Sequence, residues 1–187
     1  MEGLCYLQRY ADDRIKVSAV SLVLGEQLTA SIPVLRRYAR ALTCDSHRAD
    51  DLVQDCLERA WSRLHLFQQG SNLRTWLFTI MHNIYANQSR RYNRTPPMID
   101  IEAMVDPPST RAGQESSLEL QDLDNALQQL PDSQREVLLL VALEGMRYQQ
   151  VSDIIGIPLG TVMSRLYRAR EKLREIMDGE TESNILG

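Results

Sequence analysis

The chain has 187 residues, of which 43% are hydrophobic and 25% charged, and its formal net charge is −4. This length suits one mid-sized domain or two small ones. No run of about 18 apolar residues occurs and no basic segment precedes an apolar one at the N-terminus, so neither a membrane span nor a secretory signal is expected. Three cysteines at irregular spacing (Cys5, Cys44, Cys56) do not make a disulfide framework, which predicts a cytoplasmic protein.

The charges are segregated along the chain. Acidic residues concentrate in 45–58 and 115–132, whereas basic residues concentrate in 36–40, 90–94 and 165–174. Such segregation indicates two partners of opposite character, one of them DNA. Because the net charge is negative, any DNA affinity of the isolated chain is expected to be weak and sensitive to salt.

The first half of the chain predicts a small helical domain over residues 26–95, preceded by a 1–25 extension that we expect to be appended or poorly ordered. Gly25 is expected to interrupt any helix there, and Pro33 either kinks the first helix or begins it. Asp45 or Ser46 can cap the second helix. The predicted helices are Glu26–Leu42, His47–Leu66, with Trp61 on its buried stripe, and Leu73 to about Arg91.

The second half predicts a separate helical domain over residues 118–178, followed by a tail at 179–187. Residues 96–117 contain Pro107, Pro108 and scattered polar residues with little periodicity, which is typical of a flexible linker. Within the second domain, Pro131 is expected at the start of a helix, with Ser133 and Glu136 as its capping box. The fold class is therefore all-α, with two small helical domains joined by a flexible linker.

The stretch Tyr148–Arg174 has the pattern of a helix-turn-helix. Gly156 suits a turn that needs positive φ, and Pro158 suits the start of the next helix. That second helix has one apolar stripe (Val162, Leu166, Ala169, Leu173), and its other faces are rich in arginine. A basic amphipathic helix after a glycine turn is typical of a DNA reader. A plain helix corner with a solvated basic face is the alternative. Small residues at its N-terminal end (Gly160, Thr161, Ser164) favour DNA, because they allow close approach to phosphate.

Three segments together resemble bacterial extracytoplasmic-function (ECF) RNA polymerase sigma factors. The segment from Ala126 to Leu173 closely resembles the domain that binds the −35 promoter element. DDLVQDCLERAW resembles the helix that docks on the polymerase clamp, and LRTWLFTIMHNIYANQSRR resembles the helix and loop that melt and read the −10 element. The resemblance covers residues 26–177. It implies a promoter-specificity subunit that needs core RNA polymerase and promoter DNA and is controlled by an anti-sigma factor, with no cofactor.

The resemblance also implies roles for particular residues. For −35 DNA they are Thr161, Ser164, Arg165, Tyr167 and Arg168; for −10 DNA, Asn83, with Arg90, Arg91 and Arg94 on phosphates; for polymerase, Asp51, Gln54, Asp55 and Glu58. Met163 departs from the family pattern, so the −35 preference of a relative is not transferable. His82 also departs from it and is expected to be an exposed polar residue. Trp76 is expected in the core, whereas Tyr85 and Tyr92 suit either packing or base stacking.

Two other classes of function compete with this interpretation. A stand-alone helix-turn-helix regulator explains the second half equally well but leaves the first half without a role. A metal-dependent enzyme or sensor would use Cys44, His47 and Cys56, yet their spacing matches no zinc pattern, and Cys56 lies on an apolar stripe. With neither a nucleophile–base pair nor a glycine-rich phosphate loop, no enzyme and no metal site are predicted.

Overall fold

The computed structural model of the protein describes residues 2–68, 70–94 and 123–185, with side chains for 23–68, 70–91 and 123–178. These residues form helices and no strands, as the all-α prediction requires. The predicted linker 96–117 lies outside the described residues. The helices are α1 (Glu2–Thr43), α2 (Ser46–Ser62), a 3-10 turn (Leu64–Leu66), α3 (Leu73–Arg94), α4 (described over 123–128), α5 (Asp132–Ala142), α6 (Tyr148–Ile155) and α7 (Leu159–Ile185).

The first helix is longer than the sequence predicts. It passes through Gly25 and Pro33 without a break, so the expected interruption at Gly25 is wrong. A Cβ at Gly25 would lie 3.4 Å from the Trp61 ring, which places that ring against α1 at this point. The prediction that Trp61 is buried is also wrong, because 62% of it is exposed. Trp61 lies at the margin of the α2 stripe, so its ring is only partly covered.

The first half packs α2 against both α1 and α3. Asp45 caps α2 by accepting a hydrogen bond from the Arg48 backbone N–H at 2.8 Å, which confirms the predicted cap. Tyr38 of α1 meets Phe78 of α3 edge to face, with ring centroids 4.9 Å apart. The apolar residues that the periodicity places inward on α3 are all buried: Leu77, Ile80, Met81 and Ile84.

The second half packs α7 against α5 and α6. The predicted stripe of α7 is confirmed, since Val162, Leu166 and Ala169 are buried and Leu173 is partly buried against the core. The predicted capping box of α5 is wrong. Pro131 is the N-cap and no side chain caps the helix, while Glu136 is buried one turn later.

The two halves lie in contact. Helix α5 packs on α1, helix α6 packs on α3, and the buried apolar residues of both halves form one continuous cluster. Nothing in the periodicity of either half indicates this contact. It buries polar residues that the sequence places in otherwise apolar helices, and it determines how much of each candidate binding face stays open.

Candidate nucleic-acid interface

The turn of the helix-turn-helix is fixed by backbone and side-chain hydrogen bonds. Gly156 has φ 72° and ψ 34°, the left-handed conformation that its predicted role requires. Its N–H donates to the Ser152 carbonyl at 2.9 Å, and the Ser152 hydroxyl donates to the Ile157 carbonyl at 2.6 Å. Pro158 precedes α7 and accepts from the N–H groups of Thr161 and Val162. The direction of α7 relative to α6 is therefore set locally.

The structure brings the five predicted −35 residues onto one outward side of α7. Tyr167 is 66% exposed, Ser164 and Arg168 are exposed, and Thr161 and Arg165 are half-buried. Spacings of three and four residues keep them on neighbouring positions of the helix surface. The Ser164 hydroxyl donates to the Thr161 carbonyl at 3.1 Å, so it must rotate before it can donate to a phosphate.

The basic residues of α7 differ in whether they form ion pairs. Near the middle of α7, Arg174 pairs with Glu171 at 2.6 Å and Lys172 pairs with Glu175 at 3.5 Å. Arg165 and Arg168, nearer the turn, form no ion pair with any residue whose side chain the structure describes. Positive charge is thus available at the end of α7 where the small residues lie.

On α3, the candidate −10 residues with described side chains, Asn83, Arg90 and Arg91, share a second open face. Asn83 is exposed and its amide donates to the Thr79 carbonyl at 2.8 Å, which leaves the side-chain oxygen as an acceptor. Arg90 and Arg91 are exposed two turns further on. Arg94 is the last residue of α3, and its side chain, like that of Tyr92, lies outside the described residues. The face can offer one amide to a base and two guanidinium groups to phosphates.

The neighbouring side of α3 is not open. The expectation that His82 is an exposed polar residue is wrong. Its side chain is 14% exposed, and its Nδ1 lies 2.6 Å from the buried carboxylate of Glu136 on α5. Tyr85 is buried and accepts a hydrogen bond from Arg135 at 3.4 Å, so in this arrangement of the halves its ring packs and is not available to stack on bases. Trp76 is half-buried against the core, as expected.

The acidic side of α2 presents three of its four predicted polymerase contacts to solvent. Asp51, Gln54 and Glu58 are exposed at helical spacing. Asp55 differs, because it is half-buried and accepts a hydrogen bond from Gln88 of α3 at 3.3 Å. Its carboxylate therefore helps to hold α2 on α3, which a solvated residue would not do.

The cysteines occupy two different environments. Cys56 is fully buried, as its stripe position predicts, and burial raises the pKa of its thiol to about 12. Cys44 is half-buried with φ 52°, and its pKa is raised by burial although the guanidinium of Arg135 opposes the shift. Among the described residues, no group of three His, Cys, Asp or Glu side chains is placed to hold a metal ion.

Glu144, between α5 and α6, joins the second half to two helices of the first half. Its side chain is completely buried and accepts hydrogen bonds from Arg37 of α1, at 3.0 Å, and from Arg74 of α3. The same arginines also donate to the backbone carbonyls of Leu143, at 3.4 Å, and Glu144, at 2.9 Å. Charge-assisted bonds from both helices converge on one carboxylate.

A second buried group, Arg135 of α5, reaches the first half from the other side. Its guanidinium donates to the Tyr85 hydroxyl, to the Leu127 carbonyl at 3.2 Å and to Asp132 at 2.6 Å, and lies 3.7 Å from the Cys44 sulfur. Burial alone would lower the pKa of Arg135, but Tyr85, Cys44 and Asp132 together raise it.

Sequence reasoning missed the polar residues at this contact: Arg135, Glu136 and Glu144. The available signal was their position inside or beside the apolar run VLLLVAL, where a solvated side chain is not expected. Burial also raises the pKa of Tyr38, with the Glu136 and Glu144 carboxylates adding to the shift. The contact thus extends to the core of the first half.

Two family models match the sequence: residues 28–82 match the sigma2 domain of PhyR, and residues 120–173 match region 4 of sigma-70. The ECF RNA polymerase sigma factor EcfG from Rhodopseudomonas palustris is 38% identical over 154 residues, which cover 82% of this chain and 84% of that protein.

Solved structures agree with these matches. The sigma factor RpoE from Bartonella quintana, crystallised with the anti-sigma factor NepR, matches with a TM-score of 0.71 at 35% identity, covering 83% of this chain and 96% of that one. CnrH, in complex with the cytosolic domain of CnrY, matches with a TM-score of 0.63 at 26% identity, covering 89% and 97% of the two chains. Within the described residues, no helix has the length and apolar character needed to cross a bilayer.

Proposed function

The chain belongs to the extracytoplasmic-function sigma factors of RNA polymerase, and we propose that three of its helix faces carry the separate tasks of such a factor. In this proposal, residues 26–95 form the domain that binds core polymerase and the −10 element, and 118–178 form the domain that binds the −35 element. The chain supplies promoter recognition in the cytoplasm and catalyses no reaction. The observation that carries the proposal is the similarity to EcfG over 84% of that protein, together with an open basic face on each half.

The −35 element is read by the outward side of α7. Arg165 and Arg168 contact base edges or backbone, while Thr161 and Ser164 approach phosphate where the small residues allow it. Tyr167, largely exposed, supplies an apolar surface for a thymine methyl. Arg174 lies further along and is already paired with Glu171, so it is not expected to contribute.

The −10 element is held by α3. The side-chain amide of Asn83 reads the edge of an unpaired base, and Arg90, Arg91 and Arg94 bind the phosphates around it. Replacing Asn83 by alanine should slow open-complex formation on duplex promoters, and unchanged melting kinetics would remove Asn83 from the site.

Core polymerase docks on the acidic side of α2, at Asp51, Gln54, Asp55 and Glu58. Asp51→Lys reverses the charge at an exposed position and should weaken core binding. Asp50→Lys is the matched control, because Asp50 is also exposed on α2 but pairs with Arg36 on another side. Equal core affinity of the two variants would place the docking surface elsewhere. Asp55 is a poorer test because its substitution also disturbs the contact with Gln88.

An anti-sigma factor is the expected regulator. RpoE of Bartonella quintana, 35% identical to this chain, is in complex with the anti-sigma factor NepR. We propose a partner of the same kind here, which binds both halves of the chain and keeps them from the polymerase.

Transcription by core polymerase on a library of genomic fragments tests the whole function. We expect initiation only when the chain is added, and loss of output for Arg165→Ala and Arg168→Ala. Removal of a bidentate base contact costs about 1–3 kcal/mol, or roughly 5- to 150-fold in promoter output. Arg174→Ala is the matched control and should keep its output. Failure of the chain to bind core polymerase would overturn the proposal, and tight binding of duplex DNA by the chain alone would instead favour a stand-alone regulator.

A further inference from the structure

The ion pairs between the two halves involve buried acidic side chains, Glu144 and Glu136. Glu144 has no exposed side-chain surface, yet the two arginines that hold it, Arg37 and Arg74, are about half exposed. The Glu136–His82 pair lies in the same contact, with side chains 7% and 14% exposed. From this geometry we propose that the free chain is an autoinhibited closed form, latched by Glu144 in the cradle of Arg37 and Arg74. The inhibitory part rests on the proposed promoter function.

Distance is the first reason why closure inhibits. The −35 and −10 elements are named by their positions, which places their centres roughly 25 base pairs apart, or about 85 Å along B-form DNA at 3.4 Å per base pair. The helices that form the contact lie within 26–94 and 123–178, about 125 residues, and a compact body of that size has a radius of gyration of about 14 Å, hence a diameter of about 36 Å. While α5 packs on α1 and α6 on α3, the faces of α3 and α7 cannot reach both elements. Promoter binding therefore requires the halves to separate.

Charge is the second reason. His82, Tyr85 and Ser89 form one stripe along α3, and each contacts a residue of α5. Ser89, which immediately precedes Arg90, donates a hydrogen bond of 2.8 Å to the Asp132 carboxylate. Closure thus places the carboxylates of Asp132 and Glu136 along the flank of the proposed −10 face. There their negative charge opposes the approach of DNA phosphates.

The Glu144 ion pairs favour one arrangement of the halves but add little net stability to it. A buried carboxylate loses its hydration, and its pairing with arginine roughly offsets that loss, so a complete buried ion pair adds little net stability. An incomplete one is unfavourable, because the remaining carboxylate stays buried without a partner. The shared apolar cluster holds the halves together, and loss of the arginines destabilises this closed form because Glu144 would then stay buried without its partners. A partner that separates the halves loses little, because Glu144, Arg37 and Arg74 regain water.

Conformation can be measured without any transcription assay. Cys44 touches Arg135 of the second half, whereas Cys56 is buried between α2 and α3 within the first half. In a Cys5→Ser background, the rate at which a thiol reagent modifies Cys44 reports on opening, and Cys56 reports on integrity of the first half. Small-angle X-ray scattering gives the radius of gyration of the same samples.

The decisive variant is Arg37→Ala with Arg74→Ala, which strands the Glu144 carboxylate. We expect Cys44 to react at least tenfold faster, Cys56 to stay protected and the radius of gyration to increase. Arg36→Ala is the matched control, because Arg36 neighbours Arg37 on α1 but pairs with Asp50 inside the first half. It should behave as the parent protein. The same scattering and Cys44 rate in the double variant and the parent would overturn the latch.

Glu144→Gln keeps the shape of the side chain and guards against misfolding of the double variant. It should open the chain to a smaller extent, with an unchanged helical circular dichroism signal. If it leaves the Cys44 rate unchanged while the double variant exposes Cys56, the effect is unfolding and the proposal fails. The inhibitory role is tested with single-stranded −10 DNA, which opened variants should bind at least fivefold more tightly than the parent without polymerase. Equal affinity of the opened variants and the parent for this DNA would overturn the inhibitory role. If instead the parent protein fails to bind core polymerase or to initiate transcription with it, only the proposed sigma-factor function is refuted.

Discussion

Gly156 and Gly160 allow the same substitution to be compared at two positions that differ in backbone conformation alone. An added Cβ would meet nothing within 4 Å at either site, so neither change creates a steric clash. Gly156 lies in the turn between α6 and α7 with φ 72°, whereas Gly160 lies within the first turn of α7. An L-residue in the left-handed region costs about 1–2 kcal/mol. Replacing a helical glycine by alanine stabilises by about 0.4–1 kcal/mol.

The two variants should therefore move stability in opposite directions. Gly156→Ala should destabilise and Gly160→Ala should stabilise, with a difference of about 1.4–3 kcal/mol between them. At about 2–4 °C per kcal/mol for a protein of this size, the melting temperatures should differ by roughly 3–12 °C. Thermal unfolding followed by circular dichroism measures this difference. Gly156→Asn should lie between Gly156→Ala and the parent, because asparagine tolerates the left-handed region better.

Measuring promoter output of the Gly156→Ala and Gly160→Ala variants distinguishes an effect on stability from an effect on DNA contact. Gly156→Ala should lower −35-dependent transcription because the turn aims α7. Gly160→Ala should lower it as well, despite its higher melting temperature, because its methyl group lies where α7 is proposed to approach phosphate. A Gly156→Ala protein as stable as the parent would refute the left-handed turn. Full transcription by Gly160→Ala would show that no phosphate comes close there.

Two further predictions concern the cores of the halves. Leu140→Ala removes a completely buried side chain from α5 and should lower the free energy of unfolding by about 2–5 kcal/mol, measured with urea; a loss below 0.5 kcal/mol, on the order of a surface substitution, would contradict that packing. Cys56 keeps its proton in the folded state to about pH 12, above its ordinary value of 9.0. Its contribution to stability is present below pH 9 and lost as the pH rises toward 12, so Cys56→Ala should flatten that alkaline loss, and an identical pH profile would contradict the raised pKa.

Much of the fold follows from local sequence. Gly156 and Pro158 mark the turn, and the stripe of Val162, Leu166 and Ala169 on α7 is buried as its spacing predicts. Asp45 caps α2 as its position before a periodic segment predicts. These features depend on residues within a few positions of one another, where backbone conformation and helical period decide the outcome.

The candidate site was only partly predictable. Exposure of Asn83 and Arg168 follows from their positions opposite the apolar stripes. The burial of His82 does not, because its partner Glu136 is 54 residues away. Asp55 looks like its exposed neighbours on α2 until α3 brings Gln88 to it. Spacing along one helix cannot show which side another helix will cover.

The sequence alone determined the helices, the turn of the DNA-reading motif and the family resemblance, because each is written in short-range spacing and residue type. Only the tertiary structure decided that the two halves touch and that Glu144 sits between Arg37 and Arg74. A lone carboxylate in an apolar run is unfavourable wherever it is buried. Its burial is compensated only when the fold brings two arginines that are distant in sequence into contact with it. Such long-range pairing produces no periodic pattern in the sequence.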